Sequence, residues 1–304
     1  MADDAAVSLF QIAEDLLDGD HRFVRLVPVD PEGLAEALAP QVQRAYFDVR
    51  QSEAKMRAAI ADLKHFSSTT LEITESAIRE ALEEELDAVL PAEWKAATEG
   101  GKARPQETAV QRSELAEIIA GMVLQDFFET VIPAARIAQK EVPDQQTRGV
   151  DVLGIEGIDV AHLEGFHLPS LALVLGEVKG SCSAASPPAV VRDMEKTLKG
   201  LVQDRRKLSQ ELIWLRDNCS EEHQRICAMI LAGYQLKQFD PKVVMTPILL
   251  RTANTAGDKD MGKFRTNTAS FSDDIRFVTV VLEADDLFNF AVQVYRKARE
   301  LVTE

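Results

Sequence analysis

Two short apolar segments of the sequence carry charged residues whose types and spacing could bind a metal ion. Asp151 lies in RGVDVLGI (148–155), and Glu177 and Lys179 lie in LALVLGEVKG (171–180). Burying such residues is costly unless they are paired or bind a metal. Because residues i and i+2 of a strand point to the same face, Glu177 and Lys179 should project together, and Asp151 can join them if the two strands pair.

Two carboxylates at one point of a sheet suit a hard divalent cation. Asp151 and Glu177, with a carbonyl and waters, would supply the oxygen ligands that Mg²⁺ prefers, and Mn²⁺ suits the same ligands. Such an ion can activate a water and stabilise charge on a phosphate. Lys179 could position or deprotonate that water, or neutralise the transition state. The alternative is an ion pair at a sheet edge, with Asp151 capping a turn.

A helix that precedes these strands could supply a third carboxylate. The segment SELAEIIAGMVLQDFFETVI (113–132) has helical spacing of its apolar residues, and Ser113 is a plausible N-cap. Glu114 and Glu117 are three residues apart and therefore share a helix face. The alternative is that both are solvated acids of the first turn, which complement the helix dipole.

The surrounding elements follow from periodicity and turn signals. Strands are indicated at 23–29, which ends at the turn DPEG, and at 135–142, 243–252 and 275–284. Helical periodicity covers 34–66, 70–90, roughly 190–217, 221–234 and the C-terminal DDLFNFAVQVYRKARELV. The segment ATEGGKARPQE (97–107) is the best linker candidate, so we divide the chain into a mostly helical region, 1–105, and a second region, 106–304.

The composition limits the class of protein. The chain has 304 residues, 46% of them hydrophobic, which is ample for one large core or two smaller ones. A net charge of −16 argues against a protein that coats nucleic acid by charge alone. Three cysteines without a C-x-x-C pair support neither a disulfide framework nor a zinc knuckle, and a reducing, cytoplasmic setting fits them. No apolar run is long enough to span a bilayer, and no export signal is expected.

Several other residues allow a functional and an ordinary interpretation. A basic segment, 192–207, follows the strand of Glu177, and Arg192, Lys196 and Lys199 could contact a DNA backbone or form a solvated helix face. Lys140 could meet phosphate or lie at the surface. His162 and His167 are expected at the surface, and Cys219 and Cys227 are expected to be buried or inert.

Three segments together, SELAEIIAGMVL, RGVDVLGI and LVLGEVKG, resemble the PD-(D/E)xK nuclease superfamily. Within it they look like the HamA family, the nuclease subunits of the Hachiman anti-phage defence system, over roughly residues 110–200. By this resemblance Asp151 is the metal-binding aspartate, and Glu177 and Lys179 are the (D/E) and Lys of the motif. Glu117 is the preferred helix glutamate and Glu114 the second choice. Val150 stands where the motif name has proline.

The resemblance implies an α/β (α+β), restriction-endonuclease-like fold, with a mixed central sheet flanked by helices in residues 106–304. It implies DNA cleavage that depends on Mg²⁺ or Mn²⁺, and a superfamily 2 helicase partner of the HamB type. The chain has no Walker motif of its own, and residues 1–105 could dock the partner. The acidic charge predicts weak DNA binding by the isolated chain. The rival hypotheses are a catalytically inactive scaffold of a defence complex and a nuclease that acts on RNA or single-stranded ends.

Overall fold

A single six-stranded mixed sheet organises the part of the chain that the structure describes. A computed structural model describes residues 8–18, 21–47, 49–66, 73–91, 106–139, 149–157, 171–266, 275–282 and 287–301. The strands are β1 (Phe10–Asp18), β2 (His21–Pro28), β3 (Val152–Glu156), β4 (Ala172–Ser181), β5 (Lys242–Thr252) and β6 (Ile275–Leu282). Their order in the sheet is β1-β2-β6-β5-β4-β3. The outer pairs β1–β2 and β3–β4 are antiparallel, whereas the inner pairs are parallel.

Helices cover both faces of this sheet. They are α1 (Leu34–Tyr46), α2 (Val49–Phe66), α3 (Glu75–Val89), α4 (Gln106–Phe128), α5 (Val190–Gln203), α6 (Arg205–Asn218), α7 (Gln224–Gln235), α8 (Lys263–Thr266) and α9 (Leu287–Glu300). One core contains residues of α1, α3, α4 and α9, and a second core contains residues of α5, α6 and α7. The predicted fold class, a mixed central sheet flanked by helices, is confirmed.

Alternate residues of β4 serve the two cores. Val174 and Val178 belong to the core that contains α4, whereas Leu173 and Leu175 belong to the core that contains α5. The parity of Glu177 and Lys179 places them on the face of Leu173 and Leu175. The strand that carries the charged pair is therefore buried on both faces along most of its length, as a central strand of an α/β sheet should be.

The elements on either side of residue 105 share this sheet and the first core. Strand β2 pairs in parallel with β6, and Leu38 and Val42 of α1 lie in the same buried cluster as Val294 of α9. The division of the chain at residue 105 stays a prediction. Most of the linker candidate, 97–105, lies outside the described residues, and α4 already includes Gln106.

The structure differs from the predictions at two points, one in the first third of the chain and one in its middle. Strand β1 was not foreseen, since FQIAEDLLD reads as an acidic amphipathic segment and becomes extended only by pairing with β2. The strand predicted at 135–142 is absent from its described part, where Ile137–Gln139 forms a 3₁₀ turn. Lys140 lies outside the described residues.

Three helix boundaries also differ from the predictions. Helix α4 includes Gln106, so Ser113 is an interior residue and not the N-cap. The helix predicted at 190–217 is two helices, because Asp204 is extended and its side chain accepts a hydrogen bond from the backbone N–H of Arg206 at 2.9 Å. An aspartate in this position is a strong N-cap and starts α6 anew. The helix predicted at 34–66 is likewise divided, after Tyr46, into α1 and α2.

The remaining features of the fold agree with their sequence patterns. Cys219 and Cys227 are buried, and burial raises the pKa of the Cys227 thiol, with the neighbouring Cys219 adding to the effect. This keeps Cys227 protonated and unreactive, as predicted. Within the described ranges, no helix combines the length and the apolar character that crossing a bilayer requires.

Candidate active site

Asp151 lies immediately before β3, and its side chain contacts the neighbouring strand β4. The first residue of β3, Val152, pairs with Gly176, so β4 extends beyond the end of its neighbour. The carboxylate Oδ2 of Asp151 accepts a hydrogen bond from the backbone N–H of Val178 at 2.7 Å. That oxygen also lies 3.3 Å from the Nζ atom of Lys179. Asp151 is thus fixed against β4, although it was predicted to lie within the strand itself.

Glu177 and Lys179 form the second half of the cluster. The Nζ atom of Lys179 lies 2.7 Å from Oε1 of Glu177, so one ammonium group bridges the two carboxylates. Glu177 is only 4% exposed, whereas the side chain of Lys179 is 31% exposed. From α5, the side chain of Thr197 approaches the Glu177 carboxylate. The structure therefore brings Asp151, Glu177 and Lys179 together, as their spacing predicts.

The electrostatics of this cluster separate the roles of its members. Burial raises the pKa of Glu177 to about 7, and the negative charge of Asp151 adds to the rise, while Lys179 opposes it. Burial lowers the pKa of Lys179, but the two carboxylates outweigh burial and the net shift is upward. Lys179 is therefore an ammonium ion at neutral pH. This favours the predicted charge-neutralising role over the predicted role as a base.

Of the two helix glutamates, Glu117 is the one that lies near Asp151. Glu117 is 9% exposed, and it lines a cavity whose wall also includes Asp151. Glu114, one turn earlier, accepts a hydrogen bond from the Tyr46 hydroxyl, which lies 2.7 Å from the Tyr295 hydroxyl. Glu114 is thus enclosed where α1, α4 and α9 meet. The geometry favours Glu117 as a contributor to the site.

The chemistry of Asp151 and Glu177 fits a divalent cation. Among the residues that the structure describes, no three His, Cys, Asp or Glu side chains are close enough to form a complete metal-binding group. The two carboxylates nevertheless share a single ammonium, and the pKa of Glu177 is raised first by burial and then by the negative charge of Asp151. Carboxylate oxygens are the preferred ligands of Mg²⁺ and Mn²⁺, so Asp151 and Glu177 could hold either ion.

The three basic residues singled out on α5 lie in different environments. Arg192 is exposed, and Lys196 lines a second cavity, of about 560 Å³, together with Thr197 and Lys207. Lys199 forms an ion pair with Glu195 at 2.7 Å, so its charge is partly offset. Lys196 is therefore the best placed of the three to meet a phosphate close to Glu177. His162 and His167 lie outside the described residues.

Two contributors to the geometry were missed by the sequence interpretation. Thr197 has no distinguishing pattern within α5, and only the folded structure shows that it contacts Glu177. Arg136 donates a hydrogen bond to the carbonyl of Val150 at 2.8 Å, pairs with Glu211 and lies 3.9 Å from the centre of the Trp214 ring. Arg136 thereby fixes the residue that precedes Asp151. Its partners are too distant in the sequence for local pattern to reveal them.

The raised pKa of Glu177 predicts that the metal-free protein loses stability as the pH rises. A carboxyl group whose pKa is about 7 when folded and 4.5 otherwise stabilises the fold below pH 4.5 and loses that effect through pH 7. Relative to its value below pH 4.5, the free energy of unfolding at pH 8 should be lower by about 3 kcal/mol, since one pKa unit is about 1.4 kcal/mol. Urea titrations in EDTA measure it, and Glu177→Gln should flatten the dependence. An unchanged slope in that variant contradicts the prediction.

Comparison with known protein families gives one match. The model of the family described as HamA matches residues 22–298, which is nearly the whole chain. The match includes Asp151, Glu177 and Lys179. No curated protein gives a significant match.

Proposed function

The chain belongs to the HamA family, and we propose that it is a metal-dependent DNA nuclease of an anti-phage defence system, controlled by a helicase partner. Membership of the family supports the role in defence. The observation that carries the proposed nuclease activity is the convergence of Asp151, Glu177 and Lys179, two carboxylates that share one ammonium at the end of a buried strand. A domain that had lost catalysis would be free to lose at least one of the three.

Each residue of the cluster has a task that its environment suits. Asp151 and Glu177 would hold Mg²⁺ or Mn²⁺, which when bound activates water and stabilises charge on a phosphate. Glu117 would add a carboxylate from the side of α4. Lys179 presents a fixed positive charge to the scissile phosphate, and the low dielectric around Glu177 strengthens this interaction. Lys196 would contact a neighbouring phosphate of the strand.

The test is plasmid degradation by the chain together with its neighbouring helicase and ATP. Reactions with Mg²⁺ are compared with reactions in EDTA. We expect nicked or linear DNA only with the metal, because the two carboxylates cannot by themselves activate water for attack on a phosphodiester. Cleavage that persists in EDTA contradicts the proposal.

The outer edge of β1 in this chain is a suitable docking surface for the proposed helicase. In the described part of the sheet, β1 is a terminal strand, and Ile12, Leu16 and Leu17 on it are 44%, 45% and 75% exposed. A long edge strand with exposed apolar residues is a template for pairing with another chain. A second copy of this chain is disfavoured, because β1–β1 pairing would bring acidic residues of both copies, among them Asp15 and Asp18, close together.

Leu17→Asp is therefore expected to weaken binding of the helicase by about tenfold or more, since one buried leucine is worth roughly 1.5–3 kcal/mol. Fold and thermal midpoint should be unchanged, because the side chain is exposed. Co-purification and titration by light scattering measure the effect. The matched control is Leu236→Asp, at a residue that is 69% exposed on the segment after α7. Equal binding by wild type and Leu17→Asp contradicts docking at β1, and loss of a homodimer would assign the edge to a second copy.

A further inference from the structure

A small cavity adjoins the candidate active site on the α4 side of the sheet. Its volume is about 230 Å³, and its wall includes Glu117, Gly121 and Gln125 of α4, Gln41 of α1, and Asp151. The remaining wall is mostly aliphatic and comes from α4 and from the connection between α4 and β3. The cavity thus opens beside two of the carboxylates proposed to hold the metal. None of the steps proposed above uses it.

We propose that this cavity binds one unpaired nucleobase of the strand being cut, so that the substrate is single-stranded or locally unpaired DNA. The proposal rests on the proposed nuclease function and specifies its substrate class. The base, and not the phosphate, would then occupy the cavity. Because α1 lines the cavity, the N-terminal region would take a direct part in substrate binding.

The size of the cavity suits one base. An apolar cavity of about 150 Å³ accommodates a benzene ring, whereas sites for drug-sized ligands begin at about 300 Å³. A volume of about 230 Å³ therefore has room for one heteroaromatic ring system and none for a base pair. Since a paired base is held in the stack, it must be unpaired and turned outward before it can enter.

The polar groups of the wall also suit a base. Gln41 and Gln125 each carry an amide, and neither amide has a hydrogen-bonding partner among the described residues. An amide offers a donor and an acceptor side by side, which matches the edge of a base. The wall also contains apolar side chains, among them Ile118, Met122 and Ile132, which can stack on the ring, as in enzymes that hold a flipped base between apolar side chains.

The charge of the wall argues against a phosphate as the occupant. Glu117 and Asp151 present carboxylates to the cavity, and the guanidinium of Arg136, which also lines it, is paired with Glu211. A phosphate would lie beside these two carboxylates, whereas a base carries no charge. Lys196 and Lys207 line the separate cavity on the α5 side, whose wall also includes Asp193 and the Glu211 that pairs with Arg136. The two cavities thus suit the two parts of a nucleotide.

The test measures binding without cleavage. The probe is a pentanucleotide with a central 2-aminopurine, either single-stranded or within a longer duplex, titrated with the full chain in EDTA at low salt. We expect saturable binding of the single strand, with a change in 2-aminopurine fluorescence, and binding of the duplex that is weaker by tenfold or more. Equal affinity for the two forms, or no binding of the single strand, overturns the proposal.

Two variants locate the binding site. Gln125→Leu keeps the size of an exposed side chain but removes its amide, and we expect about fivefold weaker binding, as for the loss of one hydrogen bond. Gly121→Leu fills the cavity and should abolish binding, and its backbone can accept a side chain because a Cβ atom there meets only the Cδ1 atom of Ile132 at 3.4 Å. Gln235→Leu, at an exposed glutamine of α7, is the control. Unchanged binding in both cavity variants, each checked for folding, overturns the proposal.

The same variants separate this inference from the proposed nuclease function. If the single strand binds in the cavity but Mg²⁺-dependent cleavage never occurs, the nuclease proposal fails and the binding site remains. If cleavage depends on Glu177 and is unaffected by Gly121→Leu, the nuclease proposal stands and the base-binding cavity is wrong.

Discussion

Glu177→Gln is expected to reduce Mg²⁺-dependent plasmid cleavage by at least about 10²–10³-fold, the cost of removing one electrostatic group from an active site. The substitution keeps the shape of the side chain and removes the charge that would hold the metal. Lys179→Met should cause a similar loss, because it removes the cation beside the phosphate. Glu177→Gln should also remove a buried charge and its repulsion by Asp151, the two causes that raise the pKa of Glu177, so the variant should be at least as stable as the wild type in EDTA.

The combination of lost activity and retained stability is the informative result. Glu195→Gln is the matched control, since Glu195 is a partly buried glutamate that pairs with Lys199 of the same helix and with neither Asp151 nor Glu177. It should cut DNA as the wild type does. If cleavage survives both Glu177→Gln and Lys179→Met, the cluster is structural and any nuclease site lies elsewhere. If the wild type does not cut under any condition, the chain is better described as a nuclease-fold scaffold of the defence complex.

The cluster of Asp151, Glu177 and Lys179 was predictable because it follows from the alternation of side chains along a strand and from the pairing of neighbouring strands. Glu177 and Lys179 are two residues apart, and a strand of that apolar composition fixes them on one face. Asp151 required one further assumption, that two neighbouring apolar segments pair, and sequential strands usually do. The mixed sheet was implied by the family resemblance, and the periodicity of the helices and the buried composition of β4 and β5 agree with it. Only the placement of Glu177 beside Lys179 is local in the sequence, since the sheet joins segments as distant as β2 and β6.

The features that escaped prediction depend on distant partners. Strand β1 has the composition of an acidic helix, and only β2 makes it a strand. The choice between Glu114 and Glu117 turns on Tyr46 and Tyr295, which lie far away in the sequence and enclose Glu114. The cavity beside Asp151 requires α1 to pack beside α4, and no motif encodes that arrangement. Tertiary packing therefore decides which of the two helix carboxylates lines the cavity beside Asp151.

Asp151 lies between the two helical layers, so it can contribute both to the proposed metal site and to the proposed base-binding cavity. On the α4 side it lines the cavity that contains Glu117, and on the β4 side it contacts Lys179 and the backbone of Val178. The segment just before it is held by Arg136, which bonds to the carbonyl of Val150. A nucleotide bound with its base toward α4 and its phosphate toward α5 would pass directly over Asp151. The proposed substrate path and the proposed metal site thus share one residue.

Arg251→Met is expected to lower the free energy of unfolding by about 3–5 kcal/mol, the typical cost of breaking a buried ion pair. Arg251 is fully buried, and its Nε atom lies 3.0 Å from Oδ2 of Asp260. Its other donors bond to the carbonyls of Ser181 and Ser183 at 3.0 and 2.9 Å, which fixes the chain where it leaves β4. Methionine fills much of the volume but removes the positive charge beside Asp260, which keeps only its hydrogen bonds from Ser186 and Gly257, and it leaves several carbonyls without the arginine donors.

Denaturant unfolding of matched variants measures this effect and its cause. Arg251→Met combined with Asp260→Leu should regain part of the lost stability, because the double change leaves no unpaired buried charge. Arg57→Met is the control for loss of an arginine as such, since Arg57 pairs with Glu53 and Glu75 at the surface, and it should change little. Because Arg251 orders the segment that leads to α5 and Thr197, Arg251→Met should also impair cleavage below its unfolding transition. A variant as stable and as active as wild type would mean that the segment after β4 is held by its other contacts.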